Sequence, residues 1–242
     1  MTPEQATAAP GVDLRLAQAA AALDSSVSVC SSSADPACPG GDWCAVVAIS
    51  DEVVALTVGD VSGHGRAPTG TMAVLRNAVL RAIHDVRVPS AILAILNEAA
   101  LRHGDGTLAT AIVALVDHRR RTLSFSNAGH PPPLLLSGDR YVFLGSGYAD
   151  LPLGVFELSH ATDYVVTLPA DSLLLLYTDG LSEHNRDPVR GEMELVEAAR
   201  AAIAADSRNL ARDVMRDVFA RGRGDDDAAV IALRTMPRCG PL

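Results

Sequence analysis

Aromatic residues are scarce in this chain, at 4% of 242 residues. Its core must therefore be built mainly from Ala, Leu and Val rather than around large rings. Long apolar runs are missing as well. Nothing approaches the roughly 18 consecutive apolar residues of a membrane-spanning helix, and the conspicuous run at 173–177 has the length of a buried strand. There is no basic excess. A net charge of −9 argues against a nucleic-acid groove, which needs a basic stripe to neutralise phosphates. The four cysteines, Cys30, Cys38, Cys44 and Cys239, show no CxxC spacing, which argues against a zinc site and for reduced thiols. The N-terminal MTPEQATAAPGVD has no basic stretch followed by an apolar one, so no signal peptide is expected and the location is expected to be cytoplasmic. No internal repeat and no long linker divides the chain.

What is present is an apolar content of 48%, enough for one ordinary domain with a real core. The expected organisation is an N-terminal extension over 1–24, one domain over 25–236 and a tail over 237–242. Residues 1–12 read as unstructured, and the Ala-rich stretch 13–23 as a short helix. Residues 25–41 are rich in Ser, Pro and Gly and read as a loop holding at most one irregular strand.

Two Val- and Ala-rich strands follow, over 43–50 and 53–60, with Asp51-Glu52 as their turn. That hairpin returns Asp42 and Asp60 to the same end of a sheet. Met72, Leu75, Val79, Leu80 and Ile83 share one face of a helix over 69–86. A second helix runs from Pro89 to about Arg102, with Ser90 as its expected cap. A second hairpin is expected over 107–116 and 122–126. Further strands are expected at 140–144, 164–167, 172–178 and 228–234, and helices at 191–205 and 209–221. Antiparallel hairpins with inserted helix pairs imply α+β layers rather than a βαβ series. An apolar face on the helix pair 69–103 fits a buried sandwich layer as well as a docking or dimer surface.

Aspartates recur beside glycine at strand ends: Asp42 after Gly40-Gly41, Asp60 after Gly59, and Asp179 before Gly180. Asp225, Asp226 and Asp227 precede the last strand. Each alone is ordinary turn chemistry. Together they supply oxygen ligands of the kind that suit Mg²⁺ or Mn²⁺. Two such ions about 3.5–4 Å apart can activate water and clamp a phosphate.

The motifs GGDW (40–43), GDVSGHG (59–65), SNAGHPPPLLL (126–136), LPLGV (151–155), LLLLYTDGLSE (173–183) and DDDAAVIALR (225–234) occur in this order. They resemble the SpoIIE-type branch of the PPM, or protein phosphatase 2C-like, metal-dependent serine/threonine phosphatases. The resemblance implies an αββα sandwich, two central antiparallel sheets flanked by helix pairs. It also implies two Mn²⁺ or Mg²⁺ ions, with a metal-activated water attacking phosphoserine or phosphothreonine and no phosphoenzyme intermediate. Carried over by position, the metal ligands fall on Asp42, Asp60, the backbone carbonyl of Val61, Asp179 and Asp226. Asp60 and Asp179 are the expected catalytic carboxylates. Asp227, Gly180, Ser62, His64 and Arg66 stand as alternative or supporting positions, with Arg66 a candidate for substrate phosphate.

Two departures stand out. Related sequences commonly read GGDWYD, whereas Cys44 and Ala45 stand here. The last motif commonly has Thr where this chain has Ala229. His64 lies four residues after Asp60, where a structural role in the loop is expected over proton transfer, and His130 and Cys44 are expected to be packed.

The resemblance implies a phosphoprotein phosphatase, with a phosphorylated anti-sigma-factor antagonist of the STAS type as substrate in a partner-switching pathway. A separate sensor or activator is compatible with it; nucleic acid and membrane are not expected partners. The competing expectation, motivated by Ala45 and Ala229, is a weak or inactive module that binds a phosphoprotein or an anti-sigma kinase. A phosphatase acting on other phosphoproteins is the third.

Overall fold

The structure is a computed structural model, and it describes residues 12–14, 25–33, 40–63, 66–103, 106–146, 150–157, 161–222 and 224–236. Two sheets lie face to face. The first has the order β1 (Val12–Leu14), β3 (Trp43–Ala48), β4 (Val53–Val61), β5 (Ala109–Asp117), β6 (Thr122–Ala128) and β9 (Tyr164–Thr167). The second has the order β2 (Ser25–Ser32), β11 (Ala228–Thr235), β10 (Ser172–Tyr177), β7 (Leu134–Ser137) and β8 (Arg140–Phe143). Every pairing is antiparallel except that of β1 with β3, which is parallel.

Alternation along the strands sorts the apolar side chains into three layers. Cys44, Val46, Leu56, Val58, Leu174, Leu176, Ile231 and Leu233 fill the space between the sheets. Val47, Ala55 and Val113 face outward from the first sheet onto helices α1 (Arg66–Asp85) and α2 (Pro89–His103). Leu173, Leu175, Val230 and Ala232 face outward from the second onto α4 (Pro188–Ala204) and α5 (Leu210–Phe219). A one-turn helix, α3 (Asp179–Ser182), follows β10 directly. The architecture is the expected αββα sandwich. The apolar face of the helix pair after Asp60 is part of its first buried layer.

Some expectations need correction. Residues 25–32, expected as loop with at most one irregular strand, form a regular eight-residue strand. Serine-rich composition hid it, but Val27 and Val29 alternate inward and the whole length pairs with β11. Residues 12–14 are a strand on the edge of β3, not unstructured chain or the start of a helix, because sheet pairing outweighs the local Ala-rich propensity. The rest of the expected helix over 13–23, and the tail over 237–242, lie outside the described residues. Ser90 is not the cap of α2 but sits within its first turn. Asp163 caps it instead, accepting from the Ser90 backbone N–H at 2.8 Å and from its hydroxyl at 2.6 Å.

His130 is packed, as expected, and it ties the sheets together. It is 4% exposed, its Nε2 donates to the Tyr177 carbonyl on β10 at 3.0 Å, and its Nδ1 accepts from Thr110 Oγ1 on β5 at 2.8 Å. Burial pushes its pKa down to about 4. Between pH 6.5 and about 4 the unfolded chain takes up a proton at this residue and the folded chain does not. Folding stability at this group is therefore intact above pH 6.5 and declines as pH falls, by about 1.4 kcal/mol per pH unit. In urea unfolding at pH 7 and pH 5, His130→Gln is expected to lose less stability on acidification than the wild type. An identical loss in both proteins would show that His130 is not buried neutral.

Candidate metal centre

The register of β3 on β4 pairs Trp43 with Gly59, and continuing it by one residue sets Asp42 opposite Asp60. Both share the alternation of Cys44, Val46, Leu56 and Val58, so both carboxylates face inward at the open end of the space between the sheets. Gly59 is required here because a Cβ would lie 2.2 Å from the Trp43 ring. Gly41 is required for a related reason. A Cβ there would fall 2.4 Å from the Val61 carbonyl oxygen and 3.0 Å from Asp60 Oδ1. The Val61 carbonyl thus sits beside the Asp60 carboxylate, while the Val61 side chain packs outward toward α1.

The second sheet brings its own acids to the same end. Thr178, immediately after β10, donates from Oγ1 to Asp42 Oδ2 at 2.8 Å and so bridges the sheets. The same hydroxyl accepts from the Ala229 backbone N–H at 2.8 Å. Asp179 opens α3, and Gly180 allows the 225–227 segment to lie against it: a Cβ on Gly180 would be 1.8 Å from the Asp227 backbone oxygen. Asp226 and Asp227 then part company. Asp226 lines an open cleft with Asp179, and its Oδ1 accepts from the Asp227 backbone N–H at 2.8 Å. Asp227 turns toward Gly40, and its Oδ1 accepts from Ser33 Oγ at 3.0 Å.

The acids shift one another's pKa, mostly upward. Partial burial, then the charge of Asp60, holds Asp42 well above the usual carboxylate range. Asp60 is pushed up to about 6, first by burial and then by Asp179, against the opposing hydrogen bond with Asp42 and with smaller upward effects from Asp226 and Asp227. Asp179 is raised by burial and then by Asp226. Among the described residues, no basic side chain forms a salt bridge with Asp42, Asp60, Asp179 or Asp226. Crowded oxygen donors with no cationic side chain are the donor chemistry that hard divalent ions take. These oxygens lie as neighbouring pairs; among the described residues no three acidic, His or Cys side chains already enclose one point.

The cleft has a volume of about 460 Å³, with Gly63 on one side and Asp179, Glu183, Asp225, Asp226 and Arg186 around it. Ser62 is exposed beside it, and its backbone N–H donates to the Leu108 carbonyl at 2.9 Å. His64 lies outside the described residues, as does the side chain of Arg66, the first residue of α1. The departures divide between the faces of the sheets. Cys44 and Ala229 pack between the sheets, and Ala45 follows the outward alternation of Trp43 and Val47. Thr178, Glu183 and Arg186 were not singled out in the sequence. Thr178 and Glu183 stood inside the LLLLYTDGLSE motif, whose Asp drew the attention.

This sandwich, with acids from both sheets meeting at one end, is the PP2C-like phosphatase fold. The family model described as Stage II sporulation protein E (SpoIIE) matches residues 50–236, and the chain belongs to that family. It is 22% identical over 200 residues to the stage II sporulation protein E of Priestia megaterium, covering 80% of this chain and 33% of that protein. Among solved structures it superposes on the RsbU and RsbW domains of Rv1364c from Mycobacterium tuberculosis with a TM-score of 0.77 and 26% identity, covering 90% of this chain and 63% of that one. It also superposes on the PP2C phosphatase domain, with a fragment of the regulatory domain, of SpoIIE from Bacillus subtilis. There the TM-score is 0.73 and the identity 18%, over 87% of this chain and 63% of that one. The chain thus spans about a third of its curated relative and less than two thirds of these two structures. Two more distant structures of the same fold are described with metals, PstP with two manganese ions and RsbX with magnesium.

Proposed function

We propose that this chain is a Mn²⁺- or Mg²⁺-dependent protein serine/threonine phosphatase. The observation that carries this reading is the set of closely packed carboxylates, drawn from both sheets, that no basic side chain among the described residues neutralises. Asp42, Asp60, Asp179 and Asp226 would hold two divalent cations with the Val61 carbonyl. Bound there, the ions supply an activated water and charge neutralisation for in-line displacement at phosphorus. Thr178 orients Asp42 through its hydroxyl, and Gly41 and Gly180 let the backbone close around the acids. Asp226 is the favoured ligand over Asp227, whose carboxylate is engaged with Ser33.

The substrate we propose is a phosphorylated STAS-type anti-sigma-factor antagonist, in a cytoplasmic partner-switching pathway. The likeness to a structure holding RsbU and RsbW domains supports it. Ala45 and Ala229 do not favour a non-catalytic module. Ala229 contributes through its backbone N–H, and residue 45 lies on the face turned away from Asp42. The test is phosphate release from p-nitrophenyl phosphate and from phosphorylated STAS proteins of the same cell. Turnover is expected with Mn²⁺ and none after chelation. Well-folded protein without turnover at any Mn²⁺ concentration would instead establish the binding-module reading.

A further inference from the structure

Among the described residues, the cleft beside Asp179 carries four acidic side chains and one arginine, Arg186. Four carboxylates within the same cleft would ordinarily draw a guanidinium into an ion pair. Arg186 makes none; its side chain has no hydrogen-bond or salt-bridge partner among the described residues, and it is exposed at the cleft. Two neighbouring arginines are committed: Arg190 pairs with Glu194 at 2.8 Å, and Arg221 pairs with Glu197 at 2.5 Å.

The backbone explains why Arg186 stays apart. It has a φ of 60°, a left-handed conformation that glycine or asparagine adopts with less strain. Its flanks are anchored on both sides. The His184 ring is wholly buried, with Nε2 2.9 Å from Glu194 Oε2 and Nδ1 3.1 Å from the Leu181 carbonyl oxygen. Asn185 Oδ1 accepts from the Asp187 N–H at 3.0 Å, and Asp187 in turn caps α4 by accepting from the Arg190 N–H at 3.2 Å. The Arg186 N–H donates to the Glu183 carbonyl at 2.8 Å. A hydrogen-bonded turn therefore presents an exposed guanidinium, unpaired among the described residues, at an acidic cleft. Strained backbone held by a well-determined surround is a mark of a functional position.

We infer that Arg186 is a residue that grips the phosphoryl group of the substrate, by paired hydrogen bonds from its guanidinium to the non-bridging oxygens. A guanidinium matches a phosphate in this bidentate way, and an anion in the cleft supplies the partner that the carboxylates do not. The inference rests on the phosphatase reading for its substrate, but phosphate binding tests it separately. Isothermal calorimetry of inorganic phosphate with Mn²⁺-loaded protein is the first measurement. Arg186→Ala is expected to weaken phosphate about tenfold or more, with Arg186→Lys in between and Arg81→Ala, on α1, unchanged. KM for a phosphopeptide should rise by a similar factor while kcat stays within about threefold. Arg186→Gly, which suits the left-handed turn, gives the same readout should alanine distort it. Unchanged phosphate affinity in both the alanine and glycine variants, or an equal loss in Arg81→Ala, would overturn the role. Phosphate binding that depends on Arg186 without turnover would uphold it and refute the catalytic reading. Turnover with no dependence on Arg186 would do the reverse.

Discussion

Asp60→Asn is expected to lower Mn²⁺-dependent phosphate release by at least about 100-fold and to leave the fold intact. Asp60 has acidic neighbours in both halves of the site. It touches the charge of Asp42 on its own sheet and those of Asp179, Asp226 and Asp227 at the end of the other. Asparagine keeps the shape that fits beside Gly41, where Asp60 Oδ1 would be 3.0 Å from a Cβ, and removes only the charge. Stability should move the opposite way to activity. In metal-free protein the pKa of Asp60 is raised from 3.8 to about 6, so its ionised form is disfavoured by folding. The cost is absent below pH 3.8, grows as pH rises through this window, and is complete above about 6, where it amounts to at most about 3 kcal/mol. Metal-free Asp60→Asn is therefore expected to melt above the wild type at pH 7. Mn²⁺ should raise the melting temperature of the wild type much more than that of the variant. Equal Mn²⁺ stabilisation of both proteins, or retained activity in the variant, would remove Asp60 from the metal centre.

The same acids show how far sequence reasoning reaches. The β3–β4 hairpin was legible because its Val and Ala strands are bounded by a clear turn, and its register alone sets Asp42 opposite Asp60. The helices and the β5–β6 hairpin were legible from periodicity, with ends misjudged by a few residues, whereas β7, paired with β8, was not read as a strand. β2 was not legible. Its Ser-Val alternation gains meaning only against β11, a strand roughly two hundred residues further on. Thr178 was overlooked for the same kind of reason. Its bond to Asp42 spans 136 residues of sequence, and no local pattern marks a hydroxyl that joins two sheets. Nothing local in DDDAAV separates Asp226 from Asp227; what sets them apart is Ser33 and Gly40, which face Asp227 from a distant segment.

Gly180 illustrates a residue whose type was legible and whose reason was not. Asp-Gly reads as turn chemistry in a sequence, but Gly180 lies within the short α3, and what it supplies is space. A Cβ there would sit 1.8 Å from the Asp227 backbone oxygen and 3.5 Å from Asp226 Cβ. The nearer atom belongs to the main chain, so no side-chain rotation relieves the clash. Gly180→Ala must push the 225–227 segment away from Asp179. A displacement on the order of 1 Å at a reacting centre costs about 100-fold in rate, and overpacking of this kind costs about 1–3 kcal/mol. Both losses are expected in Gly180→Ala, read by phosphate release and by urea unfolding. Gly70→Ala is the contrast. Gly70 is exposed within α1 and a Cβ there meets nothing within 4 Å. Alanine also favours a helix over glycine, so that variant should gain about 0.5–1 kcal/mol and keep its activity. If Gly180→Ala instead behaves like Gly70→Ala, the acids of the two sheet ends do not need the close approach seen between Gly180 and Asp227, and Asp226 is not held against Asp179 when the site works.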